Sequence, residues 1–366
     1  MNALFNSTLQ VAKVAVGANN NVYVGIVSGG LALFHSRDGG VTWAALDLPI
    51  IKNRFGATHF SIVADAKNPA VVYVGGQQQP GGLSVLFRID STKAPGSQVE
   101  PLDGTGTAGN TAPHADSRGM MFDANGNLLE VDDGGIYRRT IPQTNTGNWF
   151  SIIGNLQITE LLDVTFDPNS GVVVGGSQDN GVANQISTGN VRWNEAAVGD
   201  SGDVAIDVTS RAPDSIRYIC VNSALCTREI YTASNALFNV DEVPLTVIGG
   251  GARLLGAFPT PLVLNVINPR RLVIGGVNAL YESFDQGDTI TELRPPIRVN
   301  SGAIVYGGHQ GTNGPNANAD LLYVGAGSAL YKRTAPPPAE LTRLTAFPGQ
   351  SIITGIAANP ANYNFV

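Results

Sequence analysis

Short apolar segments separated by turn residues recur along the whole chain, and their order is the same at each recurrence. A first apolar segment ends near an aspartate or asparagine, and a short turn with proline or glycine follows. A second segment ends in Gly-Gly or a similar pair, and a third ends in an aromatic and a basic residue. Residues 59–90 contain all of these parts, and residues 164–176, 264–283 and 321–333 repeat most of them. Such short segments, bounded by turn residues, predict β-strands.

The predicted first strands of this unit begin at a nearly constant spacing. From residue 11 to residue 353 there are 342 residues in seven intervals, about 49 residues each. A period of about 40–50 residues with several strands per repeat is typical of β-propeller blades. We therefore predict that residues 1–366 form one all-β domain, a seven-bladed β-propeller with four-stranded antiparallel blades. The predicted first strands begin near Val11, Phe60, Arg118, Leu162, Val204, Val263, Ala303 and Ile353.

Two details of this prediction stay open at the level of the sequence. Residues 352–366 either start an eighth blade or complete the first one. A β-sandwich array or a β-helix would also contain many short strands, but both fit the turn motif described below less well.

The composition agrees with many short strands and excludes some functions. Of the 366 residues 43% are hydrophobic and only 14% are charged, with 44 glycines and 21 prolines. Glycine and proline at this frequency are expected where tight turns join strands. The net charge is −7 and no basic stripe is present, so we expect no nucleic-acid partner. No apolar run reaches the ~18 residues of a membrane span.

Two eight-residue segments share the pattern S-x-D-x-G-x-T, and we call them the first and second aspartate turns (residues 36–43 and 283–290). We predict that each joins the third strand of a blade to the fourth and has a structural role. The aspartate would accept backbone N–H bonds, glycine would supply a positive φ, and the tryptophan would pack between blades. The residues concerned are Ser36, Asp38, Gly40, Thr42, Trp43, Ser283, Asp285, Gly287 and Thr289.

The order of strands in a blade sorts the loops between its two ends. Loops that enter the first strand, and loops between the second and third strands, lie at one end, which we call the entry end. The other loops, including the aspartate turns, lie at the opposite end. Polar residues that no hairpin obviously needs collect at the entry end. As ligand-binding candidates we name His59, His114, Asp116, Asp132, Asp133, Gln178, Asp179, Asn180, Asp200 and Asp203.

Three interpretations of this acidic entry end are open. Each aspartate can brace its own loop through backbone hydrogen bonds. The carboxylates and amides can instead bind sugar hydroxyls, a cationic peptide or Ca²⁺, a cation that prefers hard oxygen ligands. The third interpretation is glycoside hydrolysis by two carboxylates, one of them with a raised pKa. The catalytic candidates are then Asp133 together with Asp179 or Asp200.

These segments resemble the BNR-repeat, or Asp-box, β-propellers, a group that includes sortilin-like proteins and BNR-repeat glycosyl hydrolases. Residues 114–137 are similar to their H-x-D followed by D-G-G-[IV]-Y, and residues 177–181 to their Q-D-N-G turn. Residues 199–207 are similar to their G-D-G run, which Ser201 interrupts here. The resemblance implies an extracellular or cell-envelope propeller, without implying one activity. We expect a recognition or scaffold module for a glycan or protein ligand, with glycoside hydrolysis as the alternative.

Three further features bear on context. Cys220 and Cys226 are separated by five residues, so they form either a disulfide across a hairpin or a pair of small buried apolar side chains. No signal peptide is recognisable at the start. The last residues, 358–366, read as part of a strand, and we therefore expect a segment of a longer protein whose other domains are its partners.

Overall fold

Twenty-nine strands and two single-turn 3-10 helices make up the regular structure of the described residues in this computed structural model. The described residues are 11–51, 53–79, 84–156, 159–310, 316–359 and 362–363. The chain divides into two compact units, residues 1–157 and 158–366. The two short helices, Ala18–Asn20 and Gly104–Gly106, both belong to the first unit.

The first unit contains three four-stranded antiparallel sheets, and in each sheet the strands lie side by side in chain order. Their first strands pack against one another in succession. The bounds are Val11–Val16 (β1), Val22–Val27 (β2), Leu31–Ser36 (β3) and Ala44–Ala45 (β4); Ser61–Ala64 (β5), Val71–Gln78 (β6), Ser84–Asp90 (β7) and Val99–Pro101 (β8); Gly119–Phe122 (β9), Leu128–Asp132 (β10), Gly135–Arg139 (β11) and Trp149–Ser151 (β12).

The second unit contains four sheets of the same kind, and their first strands also pack in succession. One of them gains a fifth strand, β21, which pairs in parallel with the outer strand β25. The bounds are Leu161–Asp167 (β13), Val172–Ser177 (β14), Gly181–Gln185 (β15) and Trp193–Ala197 (β16); Ser201–Asp207 (β17), Ser215–Val221 (β18), Leu225–Tyr231 (β19) and Leu237–Glu242 (β20); Thr246–Val247 (β21), Leu262–Leu264 (β22), Leu272–Gly275 (β23), Leu280–Ser283 (β24) and Thr289–Glu292 (β25); Ile304–Gln310 (β26), Asn316–Ala326 (β27), Ala329–Arg333 (β28) and Thr342–Arg343 (β29).

The predicted fold class is confirmed. Over the described residues the chain is all-β, and its seven small antiparallel sheets are the blades of a β-propeller. Seven of the eight predicted first strands begin within three residues of the predicted position. The prediction near Ile353 is wrong, because residues 352–359 form no strand. Instead, Asn362 forms an isolated bridge with Gln310, at the end of the first strand of the last blade.

The second strand of a blade is the most deeply buried one, which explains its continuous apolar sequence. Along β6, residues 71–76 are all buried, and Val72, Tyr73 and Val74 are fully inaccessible to solvent. Both faces of this sheet are covered, by clusters centred on Phe60 and on Leu128. A strand that is buried on both faces has no polar face and therefore reads as an unbroken apolar run.

The aspartate or asparagine that ends many first strands caps the following turn. In blade two, Asp65 Oδ1 accepts the backbone N–H groups of Lys67 and Asn68, at 2.8 and 2.9 Å. A carboxylate or amide oxygen placed two to three residues before these N–H groups replaces the lost strand partners. The residues that act in this way are Asp65, Asp123, Asp167, Asp207 and Asn265.

Fully buried ion pairs join neighbouring blades of the second unit. Arg217 and Asp167 are both inaccessible to solvent, and they meet at 2.8 Å, with the guanidinium 3.8 Å above the ring of Tyr231. Glu282 forms an ion pair with Arg333, in which Oε1 of Glu282 lies 2.7 Å from Nη2 of Arg333. Burial alone would raise the pKa of Glu282, but hydrogen bonds from Arg333 and other neighbours lower it, so this carboxylate stays ionised.

Both aspartate turns lie between the third and fourth strands of their blades and have the same hydrogen bonds. Asp38 accepts the Thr42 backbone N–H at 2.8 Å, and Asp285 accepts that of Thr289 at 2.9 Å. The serine hydroxyl that opens each turn accepts the N–H of the glycine four residues later, at 2.8 Å in both. Trp43 is half-buried and donates its indole N–H to the carbonyl oxygen of Gly40, within its own turn.

The two cysteines form a disulfide, which decides the question that their spacing left open. Cys220 and Cys226 are directly opposite each other in the β18–β19 hairpin, with their Cα atoms 4.0 Å apart. Both are buried, with exposed fractions of 1% and 3%. The bond therefore closes the hairpin of the fifth blade from within the core.

The equivalent glycines of the two aspartate turns predict different tolerances to a side chain. Gly40 and Gly287 have φ values of 97° and 94°, but a Cβ at Gly287 would lie 2.5 Å from Val243 Cγ1, whereas at Gly40 its nearest neighbour, Trp43, is 3.6 Å away. We expect Gly40→Ala to cost about 1 kcal/mol for the positive φ, and Gly287→Ala a further ~1–3 kcal/mol for overpacking. Urea denaturation of both variants measures this, and equal losses would contradict the difference in packing.

The disulfide predicts a redox-dependent stability. Closing a loop this short restricts the unfolded chain enough to contribute about 2 kcal/mol. We expect reductant to lower the urea midpoint of the native chain and to leave a Cys220→Ala, Cys226→Ala double variant unchanged. An identical midpoint of the native chain with and without reductant would show that the bond contributes nothing.

Candidate functional site

In the first unit, the entry end brings together predicted residues from three different loops. His59 precedes β5, Asp116 precedes β9, and Asp133 lies in the turn between β10 and β11. One potential ligand atom from each of these side chains lies within 4.8 Å of those of the other two. All three side chains are half-buried. We call these three residues the entry cluster.

Asp116 differs from the other two residues of the entry cluster in its backbone conformation and in the hydrogen bonding of its side chain. Its φ is 66°, in the left-handed region that aspartate and asparagine tolerate better than most residues. Among the described residues, none donates a hydrogen bond to its carboxylate or forms an ion pair with it. The loop thus holds a charged group beside His59 and Asp133 without using it as a brace.

Arg118, which the sequence analysis named only as the start of a strand, is part of the same site. Its Nε donates to Asp133 Oδ1 at 2.8 Å, and its Nη2 lies 2.7 Å from the same oxygen. Its Nη1 donates to the carbonyl oxygen of Thr58 at 3.4 Å, next to His59. Its only signal in the sequence was its position, two residues after Asp116.

The ring of His59 is held by two polar neighbours. Its Nδ1 lies 3.1 Å from the hydroxyl of Thr58 and 3.3 Å from the amide nitrogen of Gln77. Gln77 belongs to β6, so the second strand of the blade orients a side chain from the loop that enters its first strand. The imidazole is therefore positioned by the fold.

A buried carboxyl pair lies in the same blade as Asp116 and Asp133. Glu130 and Asp132 are two residues apart on β10, so their side chains project to the same face. Glu130 is 1% exposed, and neither of its oxygens accepts a well-formed hydrogen bond from a described residue. The neighbouring hydroxyl of Ser117 pairs with that of Ser61 instead, at 2.6 Å.

Burial and mutual repulsion favour a proton shared by Glu130 and Asp132. Burial, and then the charge of Asp132, raise the pKa of Glu130 to about 9, while burial also raises the pKa of Asp132. A protonated Glu130 can donate to Asp132, which removes the repulsion between two buried carboxylates. Glu130 is not among the residues predicted for the site, although a glutamate in the apolar stretch 128–131 is a signal that it needs a partner.

His114 and Asp132 shape the turn that carries Asp133. Asp132 Oδ1 accepts the backbone N–H of Gly134 at 2.8 Å. His114 packs so closely on this turn that a Cβ at Gly134 would lie 2.4 Å from its own Cβ. Asp132 is therefore used as a brace, and His114 as a packing partner of the Asp-Asp-Gly-Gly turn.

In the second unit, the predicted entry-end residues mainly brace one another. Asp200 Oδ1 accepts the backbone N–H of Asp179 at 3.1 Å, and the Asp200 N–H donates to Asn222 at 3.2 Å. Asn180 donates its side-chain amide to Thr159 at 3.3 Å, and its backbone N–H to the carbonyl oxygen of Gln178 at 2.7 Å. These contacts agree with the interpretation of loop bracing.

Asp203 is buried inside the second unit. It is 6% exposed, and its Oδ2 accepts the backbone N–H of Leu262, in the next blade, at 3.1 Å. Asp163 does the same one blade earlier, where its Oδ2 accepts the Val204 N–H at 3.0 Å. Both carboxylates satisfy a donor at the first strand of the following blade, so we remove Asp203 from the candidate site.

The proposed catalytic carboxylates are divided between the units. Asp133 lies in the first unit, and Asp179 and Asp200 lie in the second. Within the first unit, the carboxylate that approaches Asp133 is that of Asp116.

Comparison with known proteins gives matches only at the level of structure. No protein-family model matches the chain, and neither does any curated protein. Among solved structures, a GH74 xyloglucanase from Xanthomonas campestris is 14% identical over 93% of this chain and 56% of that chain, with a TM-score of 0.38. An ancestral GH74 enzyme is 14% identical over 90% of this chain and 51% of that chain, with a TM-score of 0.47. YCF48 bound to D1 peptide is 17% identical over 91% of this chain and 94% of that chain, with a TM-score of 0.32.

All three are β-propeller proteins. The chain spans about half the length of the two GH74 enzymes. With TM-scores below 0.5, none of these structures assigns a ligand, a residue or an activity to this chain. Among the described residues, no helix has the length and apolar character that crossing a membrane requires.

The buried position of Asp203 predicts a pH dependence of stability. Burial raises its pKa to about 6, so its contribution to stability is complete below the unfolded value near 3.8 and is lost as the pH rises through 6. Between pH 8 and pH 5 the native chain should gain on the order of 1 kcal/mol from this group. Asp203→Asn, which keeps an acceptor for Leu262, should remove that part of the gain.

Urea denaturation of the native chain and the variant at the two pH values measures this gain. Burial also raises the pKa of Asp103 to about 6 and that of Glu130 to about 9, so these groups leave a remainder in both proteins. Parallel profiles of the native chain and Asp203→Asn would contradict the prediction.

Proposed function

We propose that this chain is a BNR-type β-propeller recognition module of a secreted or cell-envelope protein, which binds a glycan or protein ligand at the entry cluster. The observation that carries the proposal is the convergence of His59, Asp116 and Asp133 from three loops of two blades within 4.8 Å. Half-buried polar groups that converge in this way are suited to fixing the orientation of a bound molecule.

The contrast between the two units supports recognition over loop bracing at this place. Asp200 and Asp203 accept backbone N–H groups of neighbouring loops or strands. The carboxylate of Asp116 accepts none from the described residues. Arg118 adds a donor that is exposed to solvent beside these acceptors, so the site offers both kinds of group that sugar hydroxyls need.

The secreted or envelope location is supported by the disulfide between Cys220 and Cys226. Structural disulfides persist in oxidising compartments and are rare in the cytosol. The BNR assignment is supported by the matching hydrogen bonds of the two aspartate turns, in which a serine, an aspartate and a threonine at fixed spacing close the same loop.

Glycoside hydrolysis is the weaker alternative. The acid whose pKa is suitably raised near the site is Glu130, but its carboxyl group is 1% exposed and so cannot touch a glycosidic oxygen. Asp133 is half-buried, and its carboxylate is already paired with Arg118. Glu130 therefore cannot supply the accessible general acid that glycoside hydrolysis needs.

A glycan array, read together with a reducing-sugar assay, tests the proposed function. We expect the native chain to bind a defined set of glycans and Asp116→Asn to weaken that binding at least tenfold. Asparagine tolerates the left-handed backbone at this position, so the loop should keep its shape. Asp241→Asn, on the exposed outer strand β20, is the matched control and should bind as the native chain does.

Two results would overturn the proposal. Equal binding by Asp116→Asn and the native chain would move the ligand away from the entry cluster. Release of reducing sugar by the native chain, lost in Asp133→Asn, would favour the hydrolase instead.

A further inference from the structure

We propose that His59, Asp116 and Asp133 bind one divalent transition-metal ion of the zinc class. The inference rests on the proposed function in using the same entry cluster, and it names what the cluster would hold. Three protein ligands would leave a further position for an oxygen atom of the bound molecule, as in open zinc sites.

The spacing of the side chains suits one small cation. Zinc ligands at about 2.0–2.2 Å from a tetrahedral ion lie roughly 3.4 Å from one another. The candidate atoms of His59, Asp116 and Asp133 already lie within 4.8 Å of one another. Small side-chain rotations would therefore complete the geometry without moving the three loops.

The donor types select the class of metal. Calcium is bound by oxygen atoms alone, whereas imidazole favours zinc and related transition metals. The entry cluster offers one imidazole and two carboxylates. The structure thus favours a transition metal over the Ca²⁺ that the aspartates of the sequence had indicated.

The surroundings of the cluster supply a second, independent observation. Glu130 is 1% exposed, yet neither of its oxygens accepts a well-formed hydrogen bond from a described residue, and the same is true of Asp132 Oδ2. Asp132 is the chain neighbour of Asp133, and Glu130 lies beside Ser117, the neighbour of Asp116. Apart from the proton that Glu130 and Asp132 share, the described residues donate no well-formed hydrogen bond to these three oxygens. The negative charge that remains on the pair lies next to the cluster, and a cation bound there would be attracted to it.

The neighbours of His59 meet a further requirement of a metal site. A ligating imidazole is normally oriented by a hydrogen bond at its other nitrogen. The hydroxyl oxygen of Thr58 lies 3.1 Å from His59 Nδ1 and can accept the N–H of that nitrogen, which leaves Nε2 for a metal. The ring is therefore held in place before any ion binds.

The positive charge of Arg118 repels a cation at the entry cluster, so a variant that removes this charge tests the proposal. Both of its contacts to Asp133 are to Oδ1, which leaves Oδ2 as the oxygen for a metal. Its positive charge, so close to the site, should weaken metal binding. Arg118→Gln should therefore bind the ion more tightly, whereas removal of any ligand should weaken binding.

The test is calorimetric titration of the chelator-treated full chain with zinc chloride and, separately, calcium chloride. We expect one zinc ion per chain, at least tenfold weaker binding in His59→Gln, Asp116→Asn and Asp133→Asn, and several-fold tighter binding in Arg118→Gln. Asp241→Asn should behave as the native chain. Cobalt(II) provides a second readout, because the three ligand variants should each lose its visible absorption spectrum, and circular dichroism shows whether each variant is folded.

The inference is wrong if zinc does not saturate a single site, if calcium binds more tightly than zinc, or if the ligand variants bind zinc as the native chain does. Its failure can be told from that of the proposed function by repeating the glycan array with EDTA. Zinc binding without any glycan or protein ligand would leave the metal site standing and remove the recognition role. Ligand binding that EDTA does not change, in a chain that binds no zinc, would do the reverse.

Discussion

Each blade of this protein is a small sheet with two apolar faces, and exposing either face to water would be energetically unfavourable. The second strand β6 shows this most clearly, since its apolar residues are fully buried between the side chains of two neighbouring blades. A sheet of this kind can only exist when another sheet covers it, so the stability of one blade is inseparable from that of the next. The repeat in the sequence is the consequence, because every blade must present the same kind of surface to its neighbour.

The polar groups obey the same constraint. Where strands begin or end, backbone N–H groups lose their partners, and a carboxylate from the preceding blade often replaces them, as Asp203 does for Leu262 and Asp163 for Val204. The buried guanidinium of Arg217 is held in the same way, by the carboxylate of Asp167 and by the side-chain oxygens of Ser170 and Asn235. In the second unit, the predicted ligand residues Asp200 and Asp203 accept backbone N–H groups and so have a structural role. The side chains of the entry cluster converge on one another instead.

Arg118 and Glu130 belong to the site or its surroundings, but local sequence patterns do not predict either of them. Arg118 lies at the start of a strand, and nothing in its neighbourhood along the chain indicates that its guanidinium contacts Asp133, fifteen residues away. Glu130 was passed over because it lies inside an apolar strand, where its burial beside Asp132 gives it an unusual protonation state. For Arg118 the relevant neighbour lies in a different turn, and for Glu130 the burial is imposed by packing against other elements. Neither fact is encoded in local periodicity.

The sequence by itself determined the all-β class, the number of blades, nearly all of the first-strand positions and the sites of the two aspartate turns. It could do so because strand alternation, turn residues and Asx caps are interactions between residues that are close along the chain. Only the tertiary structure decided that Cys220 and Cys226 are bonded, that Asp203 is buried, and that His59 meets Asp116 and Asp133. Those outcomes depend on which side chains of different strands and blades meet, and the same local pattern is compatible with a brace, a buried acid or a ligand.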